Sequence, residues 1–168
     1  SEVLKLLKDD DTPLFMAVGR RHTVLQIDGY AVISRLLDGE FLAYRKTIPQ
    51  NPSTVIRVNT RQMIDAVERV SLVINDRIKS PLVCQFEQGA IHLSCSTSIG
   101  SASDTVSCQT TGNPEEMGFN SRFLIEALKN SETDEIRLEL SGSLAPMKLV
   151  PVEGDSFLFL VLPVRMKR

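Results

Sequence analysis

Long apolar runs are missing from this chain of 168 residues. None approaches the roughly 20 residues that a membrane-spanning helix needs. The longest, Phe157 to Val164, closes on Pro163-Val164 and is expected to form a buried strand. A surplus of one charge sign is missing too. With 19 basic and 21 acidic side chains the net charge is −2, so no overall basic field advertises nucleic acid or an anionic membrane, although a local patch fits inside such a total. Cys84, Cys95 and Cys108 are odd in number and widely spaced, which argues against a disulfide or zinc scaffold and for small buried hydrophobes in a reducing cytosol. The opening SEVLKLLKDDD lacks the basic, apolar, small-residue order of a secretory signal, and it carries no initiator Met. Catalytic strings are absent as well. His22 and His92 stand alone, no Gly-x-Ser-x-Gly, Walker or His-Glu-x-x-His pattern occurs, and Asp9-Asp10-Asp11 sits where a helix runs into a turn. Neither an enzyme nor a bound metal or cofactor is expected.

What the chain does have is a repeat. NTRQMIDAV, Asn59 to Val67, returns as NSRFLIEAL, Asn120 to Leu128, with the same succession of cap, cation, apolar pair, acid, alanine and apolar residue. A third, shorter echo is LLKDDDTPLF, Leu6 to Phe15, beside ALKNSETDEI, Ala127 to Ile136. Self-similarity of this kind marks copies of one supersecondary unit. Apolar spacing predicts short helices over residues 1–9, from Thr60 to about Ile74, and over Ser121 to Lys129, with Asn59 and Asn120 as N-caps and Gln62 completing a capping box. The remaining runs, LFMAV, HTVLQI, YAVISRLL, TVIRV, LVCQFE, AIHLSC, DTVSCQT, EMGF, EIRLELS, MKLVPV and FLFLVLPV, alternate or are wholly apolar over strand lengths. The predicted class is α+β: tandem βαβββ units with antiparallel sheets outside and helices on one side. The stiff TIPQNPS, Thr47 to Ser53, divides residues 1–48, the tail of a unit without its leading strand, from residues 49–168, a domain of two complete units. A remnant of that kind is expected to leave sheet edges and a helix face uncovered, and so to self-associate or be disordered within residues 1–48.

The βαβββ units, LLDGEFLAYRKTIP (Leu36 to Pro49), MGFNSRFLIEAL (Met117 to Leu128) and LVLPVRMK (Leu160 to Lys167) together resemble the bacterial DNA polymerase III beta subunit family, the sliding clamps, in one register over essentially the whole chain. The match covers the second half of that family's middle domain and its last domain. The resemblance implies the DNA-clamp fold and a non-catalytic bacterial, cytoplasmic replication protein. It would work as a head-to-tail homodimeric ring around double-stranded DNA, without sequence preference, and tether polymerase, clamp loader and repair proteins. Tethering raises effective concentration at the primer end, so processivity needs no chemistry in the ring. A scaffold of the same fold that binds proteins without encircling DNA is the alternative.

Three surfaces follow from the resemblance. A groove for short peptides carrying Gln and large apolar residues maps to Leu42, Lys46 and Thr47 beside the linker, to Ile78, Asn120 and Phe123 near the helices, to Leu144 and Pro146 on a strand, and to Leu160, Val161, Leu162, Pro163, Val164 and Arg165. The plainer readings are helix capping for Asn120 and core packing for Phe123. A DNA-facing set maps to Lys5, Lys8, Arg61, Arg69, Arg122 and Lys129, against an ordinary solvated face with pairs such as Arg61 with Asp65 or Asp65 with Arg69. Ring closure maps to Leu72 and Val73, against a frayed helix end. The neighbouring stretch Ser98 to Asp104 carries one acid, so electrostatics should add little there.

Overall fold

The computed structural model describes residues 2–8, 10–74 and 80–166. The chain folds as two compact units, Ser1–Ala43 and Tyr44–Arg168. The division thus falls ahead of the proline linker rather than at residues 48 and 49. The cause is local: Tyr44–Lys46 form a 3-10 turn, and Thr47 closes it by donating both its N–H (2.8 Å) and its hydroxyl (2.7 Å) to the Tyr44 carbonyl.

In the first unit the short helix α1 (Glu2–Leu6) stops earlier than its apolar spacing predicts. Strands β1 (Leu14–Val18), β2 (His22–Ile27) and β3 (Tyr30–Arg35) follow as an antiparallel meander. Ile27 pairs with Tyr30, so Asp28 and Gly29 make a two-residue hairpin turn, both with positive φ (46° and 80°). That backbone twist matches the twist of the strands it joins. Phe15, Met16, Val18, Tyr30 and Ile33 of this sheet are exposed.

The second unit runs β4 (Thr54–Asn59), α2 (Thr60–Ser71), β5 (Leu82–Glu87), β6 (Ala90–Thr97), β7 (Gly100–Gly112), β8 (Glu115–Phe119), α3 (Ser121–Lys129), β9 (Glu135–Leu140), β10 (Met147–Pro151), β11 (Phe159–Val161) and β12 (Pro163–Val164). The strands form one antiparallel nine-stranded sheet in the order β11-β10-β9-β4-β7-β6-β5-β8-β12. Helices α2 and α3 pack side by side, with α2 laid over β4, β5, β6 and β7. Alternation supplies the core: Ile56 and Val58, Leu82, Cys84 and Phe86, and Ile91, Leu93 and Cys95 point inward to meet Met63, Val67, Val70, Leu124 and Leu128. Each Val, Leu, Ile, Phe or Met side chain among them contributes about 1.5–3 kcal/mol on leaving water. Cys84 and Cys95 are buried, Cys108 is half-buried, and all three are free thiols. Desolvation raises the pKa of each above the ordinary thiol value.

The two βαβββ copies are interleaved. The leading strand of the first copy, β4, pairs with β9 from the second copy and with β7 from its own; the leading strand of the second, β8, pairs with β5 from the first and with β12 from its own. Strand β7 crosses between the two halves of the sheet without interruption, pairing with β6 from Gly100 to Ser107 and with β4 from Cys108 to Gly112. The corresponding last run of the second copy breaks. Phe159–Val161 pair with β10, Pro163–Val164 pair with β8, and Leu162 lies between. The run Phe157 to Val164 is therefore not one buried strand. Its cause is visible in the repeat: Cys108 pairs with Val58, the residue before the cap Asn59, and Pro163 pairs with Phe119, the residue before the cap Asn120. Cys108 donates its N–H to the Gly89 carbonyl at 3.0 Å, a bond that a proline at the matching place has no donor for.

Candidate functional site

The break at Leu162 brings several of the predicted groove residues around the start of α3 and the turn between β9 and β10 to one place. Asn120 follows Phe119 directly, and Phe119 pairs with Pro163, so the start of α3 stands beside Leu162. Met147 pairs with Val161, which brings Pro146 level with Leu162 from the other side. Leu144 and Pro146 lie in the turn between β9 and β10 rather than on a strand; that turn is closed by the Ala145 N–H on the Gly142 carbonyl at 3.1 Å. Helix α3 packs against β11. Within this cluster Phe123 is 60% exposed, Leu144 82% and Leu162 68%, while Leu160 and Pro163 are half-buried and Val161 is buried. Phe123 is thus not a core residue. Val164 and Arg165 are exposed beyond the break. Asn120 does cap α3, its Oδ1 accepting the Arg122 N–H at 3.0 Å, whereas Asn59 accepts from Gln62 one position further along at 2.9 Å. Lys46 and Thr47 are exposed at the 3-10 turn, Leu42 is exposed in the first unit, and Ile78 lies outside the described residues.

The cations predicted to face DNA are exposed but engaged. Arg61 reaches Asp65 at 3.1 Å across one helical turn, and Lys129 of α3 reaches Glu68 of α2 at 2.7 Å, tying the two helices together and holding the Glu68 carboxyl below its ordinary pKa. Arg69 does not pair with Asp65. It spans to Asp104 on β7 at 2.7 Å. Arg122 is exposed on α3. In the first unit Lys5 pairs with Glu2 at 2.7 Å and Lys8 pairs with Asp28. Gln62, Asp65 and Arg69, with Thr105, Val106 and Ser107, line a shallow polar cavity of about 350 Å³ between α2 and β7.

At the far end of α2 the predicted ring-closing pair separates. Leu72, the C-cap, is 82% exposed, whereas Val73 packs partly onto the core. Asp104, the acid of the adjacent stretch, is already neutralised. The Arg69 guanidinium first, and the Thr105 N–H second, hold its carboxyl below its ordinary value of 3.8. A depressed folded-state pKa gives stability that is present above the ordinary aspartate range and lost as pH falls through the folded value. Asp104→Asn should therefore lower the denaturation midpoint modestly at neutral pH and flatten the acid limb of the stability curve. An unchanged acid limb would mean that the pair contributes nothing.

With the geometry in place, a family profile described as "DNA polymerase III beta subunit, C-terminal domain" matches residues 45–165. The chain belongs to this family. Among curated proteins it is similar to the beta sliding clamp of Vibrio cholerae, at 24% identity over 98% of this chain and 45% of the relative, and to that of Staphylococcus epidermidis, at 26% over 98% and 44%. Among solved structures it superposes on the DNA polymerase sliding clamp of Bacillus subtilis with a TM-score of 0.87 at 26% identity, covering 99% of this chain and 44% of that one. It also superposes on a Bartonella birtlesii sliding clamp bound to griselimycin, with a TM-score of 0.81 at 28% identity over 91% and 41%. The chain spans about 45% of the length of the curated relatives it matches. The α+β clamp fold, with its repeated βαβββ unit, is the fold of this family.

Two features of this beta-subunit domain went unread in the sequence. One is the Arg69–Asp104 pair, whose partners are distant in the chain and meet only because α2 lies over β7. The other is the broken last strand, for which the signal was present: Pro163 occupies the place that Cys108 holds in the first copy. Among the described residues no helix is long and apolar enough to cross a membrane, and no cluster of three His, Cys, Asp or Glu side chains is placed to hold a metal ion.

Proposed function

We propose that this chain is the C-terminal part of a bacterial sliding clamp, a non-enzymatic cytoplasmic subunit that tethers replication and repair proteins to duplex DNA. The observation that carries the reading is the exposed apolar set Phe123, Leu144, Leu162 and Val164 gathered around the capped start of α3. An apolar strip with a polar cap residue and Arg165 beside it suits a short peptide that carries glutamine and large apolar side chains. The partners are then the polymerase, the clamp loader and repair proteins that present such a peptide.

Encirclement of DNA is a property of the full homodimeric ring. Exposed Leu72, three residues past the Arg69 that pairs with Asp104, and the stretch of β7 from Gly100 to Ser107, which pairs along one edge only among the described strands, support ring closure at this end of the unit. The mixed charges of α2 and α3 suit weak, sequence-independent contact. Exposed ion pairs are worth at most about 1 kcal/mol and exchange readily for phosphate oxygens, while tight phosphate binding would oppose sliding. That engagement of Arg61, Arg69 and Lys129 by carboxylates also favours the second reading, a protein-binding scaffold without encirclement. Titration of a fluorescent Gln-plus-apolar peptide tests the groove. Leu162→Ala is expected to weaken binding about tenfold, since truncating an anchor loses on the order of 1–2 kcal/mol. Affinity indifferent to Leu162 sinks the reading. Loading of the full-length protein on circular DNA separates clamp from scaffold.

A further inference from the structure

The wall of the groove formed by β12 is held in place by very little. Two residues pair with β8, Pro163 with Phe119 and Val164 with Gly118, and the proline brings no N–H to the ladder. A segment tied by so few backbone hydrogen bonds opens locally unless side chains anchor it. The structure supplies one anchor. Along β8, Met117 and Phe119 are buried in the core, and Gly118 between them points to the opposite face. Gly118 is itself buried, and what covers it is the side chain of Met166, two residues beyond β12, next to Pro81. A Cβ built on Gly118 would come within 3.0 Å of Met166 Cγ, 3.3 Å of Pro81 Cβ and 3.4 Å of Met166 Sδ. The absence of a side chain at residue 118 is thus a notch, and the flexible, unbranched thioether fills it. The backbone at Gly118 lies outside the left-handed region, so the need for glycine is one of space alone.

We infer that Met166 is a latch: by seating in the Gly118 notch it fixes β12 against β8 and so positions Leu162 and Val164 to receive a partner peptide. This rests on the groove reading. Met166 is a positioning residue for that site, and Gly118 is the complementary half of the same device. The pairing register supports the assignment. Val164 lies directly opposite Gly118, whose notch Met166 fills, so a shift of Met166 acts on Val164 and, through Pro163, on the adjoining Leu162.

The test uses the chain of 168 residues, a fluorescein-labelled peptide carrying glutamine and large apolar residues, and amide hydrogen exchange at Val164 and Arg165. Met166→Ala and Gly118→Ala should each weaken the peptide about tenfold and speed exchange at those amides, with global thermal unfolding nearly unchanged. Met166→Leu, similar in volume, should restore both within about threefold. The double variant Gly118→Ala/Met166→Ala should be no weaker than either single one, because both remove one contact. If exchange at Val164 and Arg165 stays at the native rate in both single variants, the latch is overturned, whatever the peptide does. Accelerated exchange with native peptide affinity overturns its role in binding. Failure of the unaltered chain to bind the peptide removes the groove itself, and with it the function of the latch.

Discussion

Replacing Gly112 with alanine will destabilise the second unit by about 2–6 kcal/mol, a large part of the roughly 5–15 kcal/mol that holds a typical domain together. Two costs combine. Gly112 has φ +116°, in the region that L side chains rarely adopt, and holding another residue there costs about 1–3 kcal/mol. A Cβ at this position would also lie 2.2 Å from the Ser53 carbonyl oxygen and 2.7 Å from Thr54 Cα, both backbone atoms. Neither can step aside. Ser53 donates its N–H to the Leu140 carbonyl at 2.8 Å, and the buried Thr54 pairs with both Gly112 and Leu140 while its hydroxyl reaches the Asn113 carbonyl at 2.7 Å. Overpacking of this sort adds about 1–3 kcal/mol. Urea denaturation measures the loss as a lower midpoint at unchanged slope. Gly154→Ala is the control: φ is +74° and nothing lies within 4 Å, so it bears the conformational cost alone. Equal losses at the two glycines would show that the close approach at Gly112 costs nothing.

The sequence-to-structure correspondence follows the range of the interaction involved. Caps and strand alternation act between near neighbours, so Asn59, Asn120, the bounds of α3 and those of β5 are readable directly. Where partners come from distant segments, local rules mislead. The helical i, i+4 rule offers Asp65 to Arg69, yet the guanidinium goes to Asp104 because α2 is laid over β7. Apolar character alone does not say which face is covered: Leu160, Val161 and Leu162 look alike in sequence, and the middle one is buried while Leu162 is exposed. The predicted groove residues came from family resemblance, and the fold explains why Asn120, Pro146 and Leu162 stand side by side. A strand that in one copy bridges the two halves of the sheet is broken by Pro163 in the other, and the break opens an apolar strip at the surface.

Phe119→Ala couples stability to that strip and is expected to cost about 3–5 kcal/mol, the range for truncating a buried aromatic whose cavity cannot collapse. Phe119 is fully buried in the core, and its backbone pairs with Leu82 on one side and with Pro163 on the other. Asn120 follows it. The cavity therefore opens beneath one of the two residues that hold β12 and beside the cap of α3. Phe86→Ala provides the comparison. Phe86 is equally buried, but on β5, where it pairs with Ile91 and Glu115, at the other end of β8 from the cap. Both variants should lose similar stability in urea. At a temperature where each remains folded, the peptide affinity of Phe119→Ala should fall by about tenfold or more, while that of Phe86→Ala stays near the native value. Equal affinities in the two folded variants would mean that the peptide does not depend on the junction of β8, β12 and α3, and would place its binding elsewhere on the molecule.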